Sequence, residues 1–210
     1  MVIDEIKQIL NGVYEVTPDS GSVFFLRTRY LPSEGAFLEE KLFPGNSFSE
    51  EEALMLFKAS LVFSAEKAAM SYLARAEQYR VSLEQKLLKK NIPGDVIKEA
   101  LDYLEECGFL DDERFAGAWI RSRFIDHAEG KSRVTAELLS RGVKRASVKN
   151  AVDEFFSERD ETEICLRAYR KLSSSQKKNE EKVIQALVRK GFSFKIIKEV
   201  LKNGIENGEN

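Results

Sequence analysis

The chain has 210 residues, 43% of them hydrophobic and 32% charged, with a formal net charge of −2 and a pI near 5.7. This is the composition of a soluble globular protein, and its balance argues against tight non-specific binding of duplex nucleic acid, whose dedicated binders are basic. Two cysteines, Cys107 and Cys165, are too few for a disulfide framework or a zinc site, and both are read as buried small hydrophobes in a reducing compartment.

Residues 1–48 have a texture of their own. The first ten lack the basic start and long apolar core of a signal peptide. Val13-Tyr14-Glu15-Val16 and Val23-Phe24-Phe25-Leu26 are short β-like runs, with turn chemistry at Pro18-Asp19-Ser20-Gly21 between them. A small β-rich segment, a hairpin or three strands, is expected. It should pack on the helices that follow, because a lone hairpin is marginal. Pro32, Gly35, Pro44 and Gly45 break up residues 31–46. Ser49 with Glu52 three residues on matches a capping box and opens a connecting helix over 49–64. Its apolar face is read as Leu54, Phe57 and Leu61. Lys58 interrupts the apolar stretch at 53–65, and no segment reaches the length of a membrane span, so a cytoplasmic protein is expected.

The rest of the chain is a repeat. Residues 86–101, 137–152 and 186–201 align without a gap, with Leu87, Leu138 and Leu187 in one column at offsets of 51 and 49. Lys98, Lys149 and Lys198 share another column. Each copy reads as helix, tight turn, helix. The first helix runs to Lys90, Arg141 or Lys190, cations that suit the negative end of a helix dipole. Asn91, Gly142 or Gly191 follows, residues that tolerate the left-handed conformation closing a helix. Ile92, Val143 or Phe192 then staples the turn. The next helix shows apolar residues at i, i+3, i+4: Ile97/Ala100/Leu101, Val148/Ala151/Val152 and Ile197/Val200/Leu201. In the first two copies Leu104 and Phe155 continue the stripe.

The repeats are placed at 65–109, 110–158 and 159–204, with a frayed tail at 205–210. Repeat one opens with Ala68, Ala69, Tyr72 and Leu73. Repeat two is entered through Gly108-Phe109-Leu110-Asp111-Asp112-Glu113-Arg114-Phe115-Ala116, with Asp111 as N-cap and the next two acids complementing the dipole. Phe115, Trp119 and Ile120 are spaced as a core face, with Arg114, Gly117 and Arg121 opposite. His127, the one histidine, sits in a loop at 126–131 without a visible partner. In repeat three, Ser173–Asn179 is read as a polar loop, and the last helix is expected to stop near Gly204.

No phosphate loop, dinucleotide fingerprint, metal-ligand spacing or Ser-His-Asp set is found, and no cofactor is expected. A repeat stack without concentrated reactive residues favours binding over catalysis. Charge, however, is uneven. Between Glu113 and Lys149 nine Lys/Arg face four acids, an excess of +5 in an acidic chain. This fits a solvated helix surface, or a face for an acidic protein or a nucleic-acid backbone.

At these residues the sequence resembles the RecX family, the bacterial regulators of the RecA recombinase. The resemblance is carried by the Gly108–Ala116 block followed by Arg121 and Arg123. It continues through Gly130, Arg133, Glu137-Leu138 and Gly142-Val143, and closes on Gly191-Phe192-Ser193-Phe194 with Ile197 and Val200. It spans about 65–203, with 1–48 fitting more loosely, like the β-rich leader of some members. It implies a mainly α fold of three tandem three-helix repeats in an elongated curved stack. It implies a monomeric, non-enzymatic inhibitor that binds the groove of the RecA–DNA filament, with DNA phosphates as an additional contact. Such a protein limits filament growth, ATP hydrolysis, strand exchange and the SOS coprotease activity. Family match and charge excess together select Arg121, Arg123, Arg133, Arg141 and Arg145 as partner-binding residues, with Arg75 and Arg80 secondary. Two rival readings stand beside this one. The first is a helix-turn-helix-like DNA-binding module acting without RecA, with steeply salt-dependent affinity. The second is a metal-dependent nuclease using Asp111 and Asp112.

Overall fold

The computed structural model describes residues 1–31 and 40–206. They form two compact units: Met1–Ala76 with Ser82–Leu110, and Glu77–Val81 with Asp111 onward. The first unit opens with a three-stranded antiparallel sheet in the order β1 (Ile3–Leu10), β2 (Val13–Pro18), β3 (Phe24–Arg27). β2 contains the first β-like run of the sequence, and β3 the second except for Val23, which is exposed before the strand. β1 carries no such signal, because its Ile-Asp-Glu-Ile-Lys-Gln-Ile-Leu does not alternate apolar and polar residues, and it is mostly exposed. It is a strand by pairing, from Ile3 opposite Pro18 to Leu10 opposite Val13, with the register shifting between Ile3 and Glu5 and between Gln8 and Leu10, and it leads into a turn at Gly12 with φ +68°. Pro32 and Gly35 lie outside the described residues.

The sheet packs on α1 (Glu50–Leu73), a 24-residue helix. Ser49 and Glu52 form both bonds of the expected capping box, at 3.2 and 2.8 Å. The helix runs unbroken through residue 64, so the connecting helix and the opening of repeat one are a single element. Its buried stripe is Ala53, Leu56, Ala59, Val62, Phe63, Ala65 and Ala69. The face expected from Leu54, Phe57 and Leu61 is instead 68%, 44% and 51% exposed. Of these three, Phe57 still meets the sheet, its ring 5.2 Å from that of Phe24 on β3, while the buried stripe combines small alanines with Leu56, Val62 and Phe63.

One buried charge fastens this packing. Glu66 on α1 is 6% exposed. Arg27 of β3 reaches it with both prongs, at 2.9 and 2.6 Å, and the Tyr30 hydroxyl donates at 2.7 Å. The guanidinium also lies 4.8 Å from the Tyr103 ring centroid. Burial, then the hydrogen bond to Glu66, pushes the Tyr30 phenol well above its ordinary range.

Repeat one continues with α2 (Arg80–Leu88) and α3 (Gly94–Glu106). Leu83, Leu87, Ile97, Leu101, Leu104 and Leu110 form its own core with Ala69. In the second unit, repeat two is α4 (Asp112–Asp126), α5 (Lys131–Ser140) and α6 (Arg145–Ser157). Repeat three is α7 (Glu161–Arg170), α8 (Ser174–Lys177), α9 (Glu180–Arg189) and α10 (Phe194–Glu206). The polar stretch 173–179 is therefore not all loop. Ser173 and Gln176 form a capping box that winds a single turn. The last helix passes Gly204 to Glu206, and the tail beyond lies outside the described residues.

The turn after the second helix has the same form in all three copies. Asn91, Gly142 and Gly191 have φ of +60°, +88° and +91°. Their amides donate to Leu88, Leu139 and Val188 at 2.9 Å each. The next amides, of Ile92, Val143 and Phe192, donate to Leu87, Leu138 and Leu187 at 3.3–3.4 Å. This is the Schellman closure, which uses two carbonyls that a helix end leaves unpaired. Val143 and Phe192 are buried, and Ile92 is half-buried.

Glycine also sets the junction of repeats two and three. The Gly130 amide, at the N-cap of α5, donates to the Lys190 carbonyl at the end of α9, at 2.8 Å. A Cβ on Gly130 would lie 2.5 Å from the Gly191 carbonyl oxygen, and one on Gly191 would lie 2.3 Å from the Arg133 amide nitrogen. The two backbones touch with no space for a side chain.

The cysteines differ from each other. Cys165 is fully buried, and burial pushes its thiol up to about 12, whereas Cys107 is exposed at the C-cap of α3, contrary to expectation. Cys107 lies beyond the buried Leu104, on the side of the helix end that Glu106 also exposes.

Three outcomes follow from this packing. Glu66→Ala strands Arg27 and should cost about 3–5 kcal/mol in urea denaturation. Gly191→Ala combines a clash with a left-handed φ and should cost roughly 2–4 kcal/mol. A chromogenic thiol reagent should consume one equivalent with the native protein and two in denaturant; two in the native state would contradict the burial of Cys165.

Candidate partner-binding surface

Repeat two carries most of the selected residues, and its geometry begins at two adjacent acids. Asp111 is the N-cap of α4; its carboxylate accepts from the amides of Glu113 and Arg114 at 2.8 and 3.1 Å. Asp112 does more than complement a dipole. It is 4% exposed, and its two oxygens accept from the amides of Arg80 at 2.8 Å and Lys144 at 3.0 Å. One carboxylate thus meets the first amide of α2 and the N-cap amide of α6 as well as its own helix start, three positive dipole ends. The strap 77–81 is held beside it: Arg114 Nε donates to Glu77 at 2.6 Å, and the Tyr79 and Phe115 rings lie 4.7 Å apart. The Asp111 and Asp112 oxygens thus face backbone amides, as a capping pair. Among the described residues no group of three or more His, Cys, Asp or Glu is placed to hold a metal ion.

On α4, Ala116 and Ile120 are buried while Phe115 and Trp119 are half-buried against the same core. Trp119 packs on the core and is also a platform for two arginines. The guanidinium carbons of Arg123 and Arg141 lie 5.1 and 5.3 Å from its ring centroid. Arg123 also forks onto Glu129, at 2.6 and 3.1 Å, and reaches Glu137 at 3.1 Å. Glu137 in turn receives Arg141 at 3.2 Å and stands 3.9 Å from Arg133. A single carboxylate therefore organises three of the selected arginines. The hydrogen bond to Glu129 raises the Arg123 guanidinium above its usual range. Burial of Glu129 opposes ionisation, but the bond and charge of Arg123 hold its carboxyl below the ordinary range.

The six selected residues of the second unit do not form one patch. Arg123, Arg133 and Arg141 gather around Glu137. Arg121 is exposed on α4, its Nη1 passing 3.1 Å from where a Cβ of Gly117 would stand, so that glycine makes room for it. Arg145 is exposed at the start of α6, across α5 from the Glu137 cluster. Arg80 is half-buried in the strap, and Arg75, in the first compact unit, is exposed. His127 is an exposed C-cap whose carbonyl accepts from Arg167 at 3.0 Å. Glu129, Glu137 and Trp119 join this surface without being selected by charge counting. The i−4 and i+4 spacing of Arg133 and Arg141 around Glu137 is the signal in the sequence that points to them.

Arg123 is thus built into the fold. Arg123→Ala should cost about 2 kcal/mol near neutral pH. Glu129 has its carboxyl lowered on folding, so this contribution is complete above its unfolded value near 4.5 and is lost as pH falls below it. The gap between wild type and variant should therefore narrow in acid. Arg121→Ala should change stability by less than about 0.5 kcal/mol.

The family model of the second three-helix domain of RecX matches residues 111–152, and that of the third matches 162–201. "Regulatory protein RecX" of Treponema pallidum (strain Nichols) is 34% identical over 139 residues, covering 66% of this chain and 84% of that protein. The protein of that name from Thermobifida fusca (strain YX) is 30% identical over 172 residues, covering 78% and 89%. A crystal structure of regulatory protein RecX superposes with a TM-score of 0.75 at 20% identity, over 96% of this chain and 98% of the other. That of RecX from Lactobacillus salivarius gives 0.61 at 22%, over 69% and 97%. These two show the fold. No described helix is long and apolar enough to cross a membrane. With the repeats, their closing turns and the relatives in agreement, the chain belongs to the RecX family of regulatory proteins.

Proposed function

We propose that this chain regulates RecA in the cytoplasm by lying in the groove of the RecA–DNA filament, limiting filament growth, ATP hydrolysis, strand exchange and the SOS coprotease activity. The observation that carries the reading is the cationic surface of repeat two on a chain whose net charge is −2. A protein built to hold duplex DNA by itself would be basic overall. One acidic overall, with its arginines concentrated on one repeat, suits an acidic protein surface with DNA phosphates nearby. Arg121, Arg133, Arg141 and Arg145 supply the exposed charge, and Arg123 holds the Trp119 platform in place. Arg75 and Arg80 serve as secondary contacts from outside repeat two. The chain acts as a monomer and needs no cofactor.

The test is RecA-catalysed ATP hydrolysis on excess single-stranded DNA with this protein titrated in. Inhibition is expected. Onset well below one chain per several RecA subunits would mark end-blocking, and onset near that ratio would mark groove occupancy. Arg121→Ala with Arg133→Ala should weaken inhibition severalfold while far-ultraviolet circular dichroism stays unchanged. Absence of inhibition, with strong salt-sensitive binding to free DNA, would replace this reading with the DNA-binding module.

A further inference from the structure

The flank of α5 away from Glu137 forms a groove with α6 of about 270 Å³. Its floor is apolar, from Leu139, Val148 and Val152. Its rim carries Lys131, Arg145 and Lys149 against a single carboxylate, Asp153. That carboxylate is already used twice, by Lys131 at 2.5 Å and Lys149 at 2.9 Å. Arg145 is exposed and, among the described residues, pairs with no carboxylate. An apolar trough is thus edged by net positive charge with one arginine in reserve.

The repeat alignment makes this more than a local accident. Leu88 and Val188, in the column of Leu139, are 47% and 50% exposed. Lys98 and Lys198 occupy the column of Lys149. In repeat three Phe194, 53% exposed, takes the column of Arg145, with the Lys198 ammonium 4.8 Å from its ring. An apolar side chain at the end of the second helix therefore recurs three times, each with a lysine in the matching column of the next helix. Leu88 and Val188 lie outside the cores that Leu87 and Leu187 fill, whereas Leu139 packs partly against its own core and turns its remaining surface to the groove.

We propose that the α5–α6 groove docks an apolar protein segment flanked by Asp or Glu side chains. This rests on the RecA reading above and names where such a subunit would be gripped. Charge complementarity selects the acidic flanks: the spare cation and the doubly used Asp153 leave the rim short of negative charge. The apolar floor selects a polypeptide over a nucleic-acid backbone, which presents charged phosphates and no apolar side chain of a size to fill it.

The experiment uses the full chain and RecA filaments on single-stranded DNA, with equilibrium affinity as readout. Arg145→Glu should weaken binding about tenfold, and Lys7→Glu, an equal change of charge on β1, should leave it within about twofold. In parallel, Thr135→Cys in a Cys107→Ser background places a benzophenone probe in the groove. It should crosslink to a RecA peptide in which apolar residues adjoin Asp or Glu. If wild type binds filaments but Arg145→Glu binds equally well, the groove proposal fails and the RecA reading stands. The groove proposal fails in the same way if the probe captures the oligonucleotide or a second copy of this chain. If wild type binds no filament, the RecA reading fails and the groove proposal falls with it.

Discussion

Helix ends set the terms on which these repeats pack. A unit of some fifty residues with three helices exposes many unpaired amides and carbonyls for the size of its core. This chain satisfies many of them locally, through N-caps and closing turns, and several more with groups from neighbouring helices. Asp112 takes amides of Arg80 and Lys144. Glu161 accepts from the Lys131 amide at 2.9 Å. Arg167 donates to the carbonyls of Phe124 and His127 at 2.8 and 3.0 Å, and Lys171 donates to that of Asp126 at 3.0 Å. The last three close the end of α4 from repeat three. Within the second unit, adjoining repeats complete each other's termini as well as burying each other's faces.

That arrangement also divides the charges by task. Of the cations in repeat two, Arg114 fixes the strap, Arg123 the Trp119 platform, and Lys131 and Lys149 a shared aspartate. An excess of positive charge in sequence is therefore not the same quantity as charge offered to a partner. Arg121 and Arg145 are exposed on different helices, so a partner must span more than one element to meet both.

The sequence is most legible where local chemistry determines local structure. The three closing turns need only Asn or Gly after a cation, and their φ values follow directly. The capping box at Ser49 needs only the spacing to Glu52. Illegible features depend on what lies opposite. β1 has little strand pattern and is ordered by its partner β2. On α1, two stripes compete, and helical period alone does not reveal that the one with Leu56, Val62 and Phe63 among its alanines is buried. At the surface, the arginines can be counted, but their division around Glu137 depends on α4 and α5 lying side by side. Asp112 looks like one more dipole acid because its two amide donors lie 32 residues away in either direction.

The contact of Gly130 with Gly191 limits how this protein can change over time. A tight spot between side chains can be relieved by shrinking one as the other grows. Here each glycine abuts the other's backbone or the backbone beside it, and a backbone cannot be shortened. No second substitution can make room for the first, so the pair has no compensated route away from glycine. The spacing between repeats two and three is therefore free to drift only where the chain lies outside that contact, which confines insertions and deletions to the segments between the helices it joins.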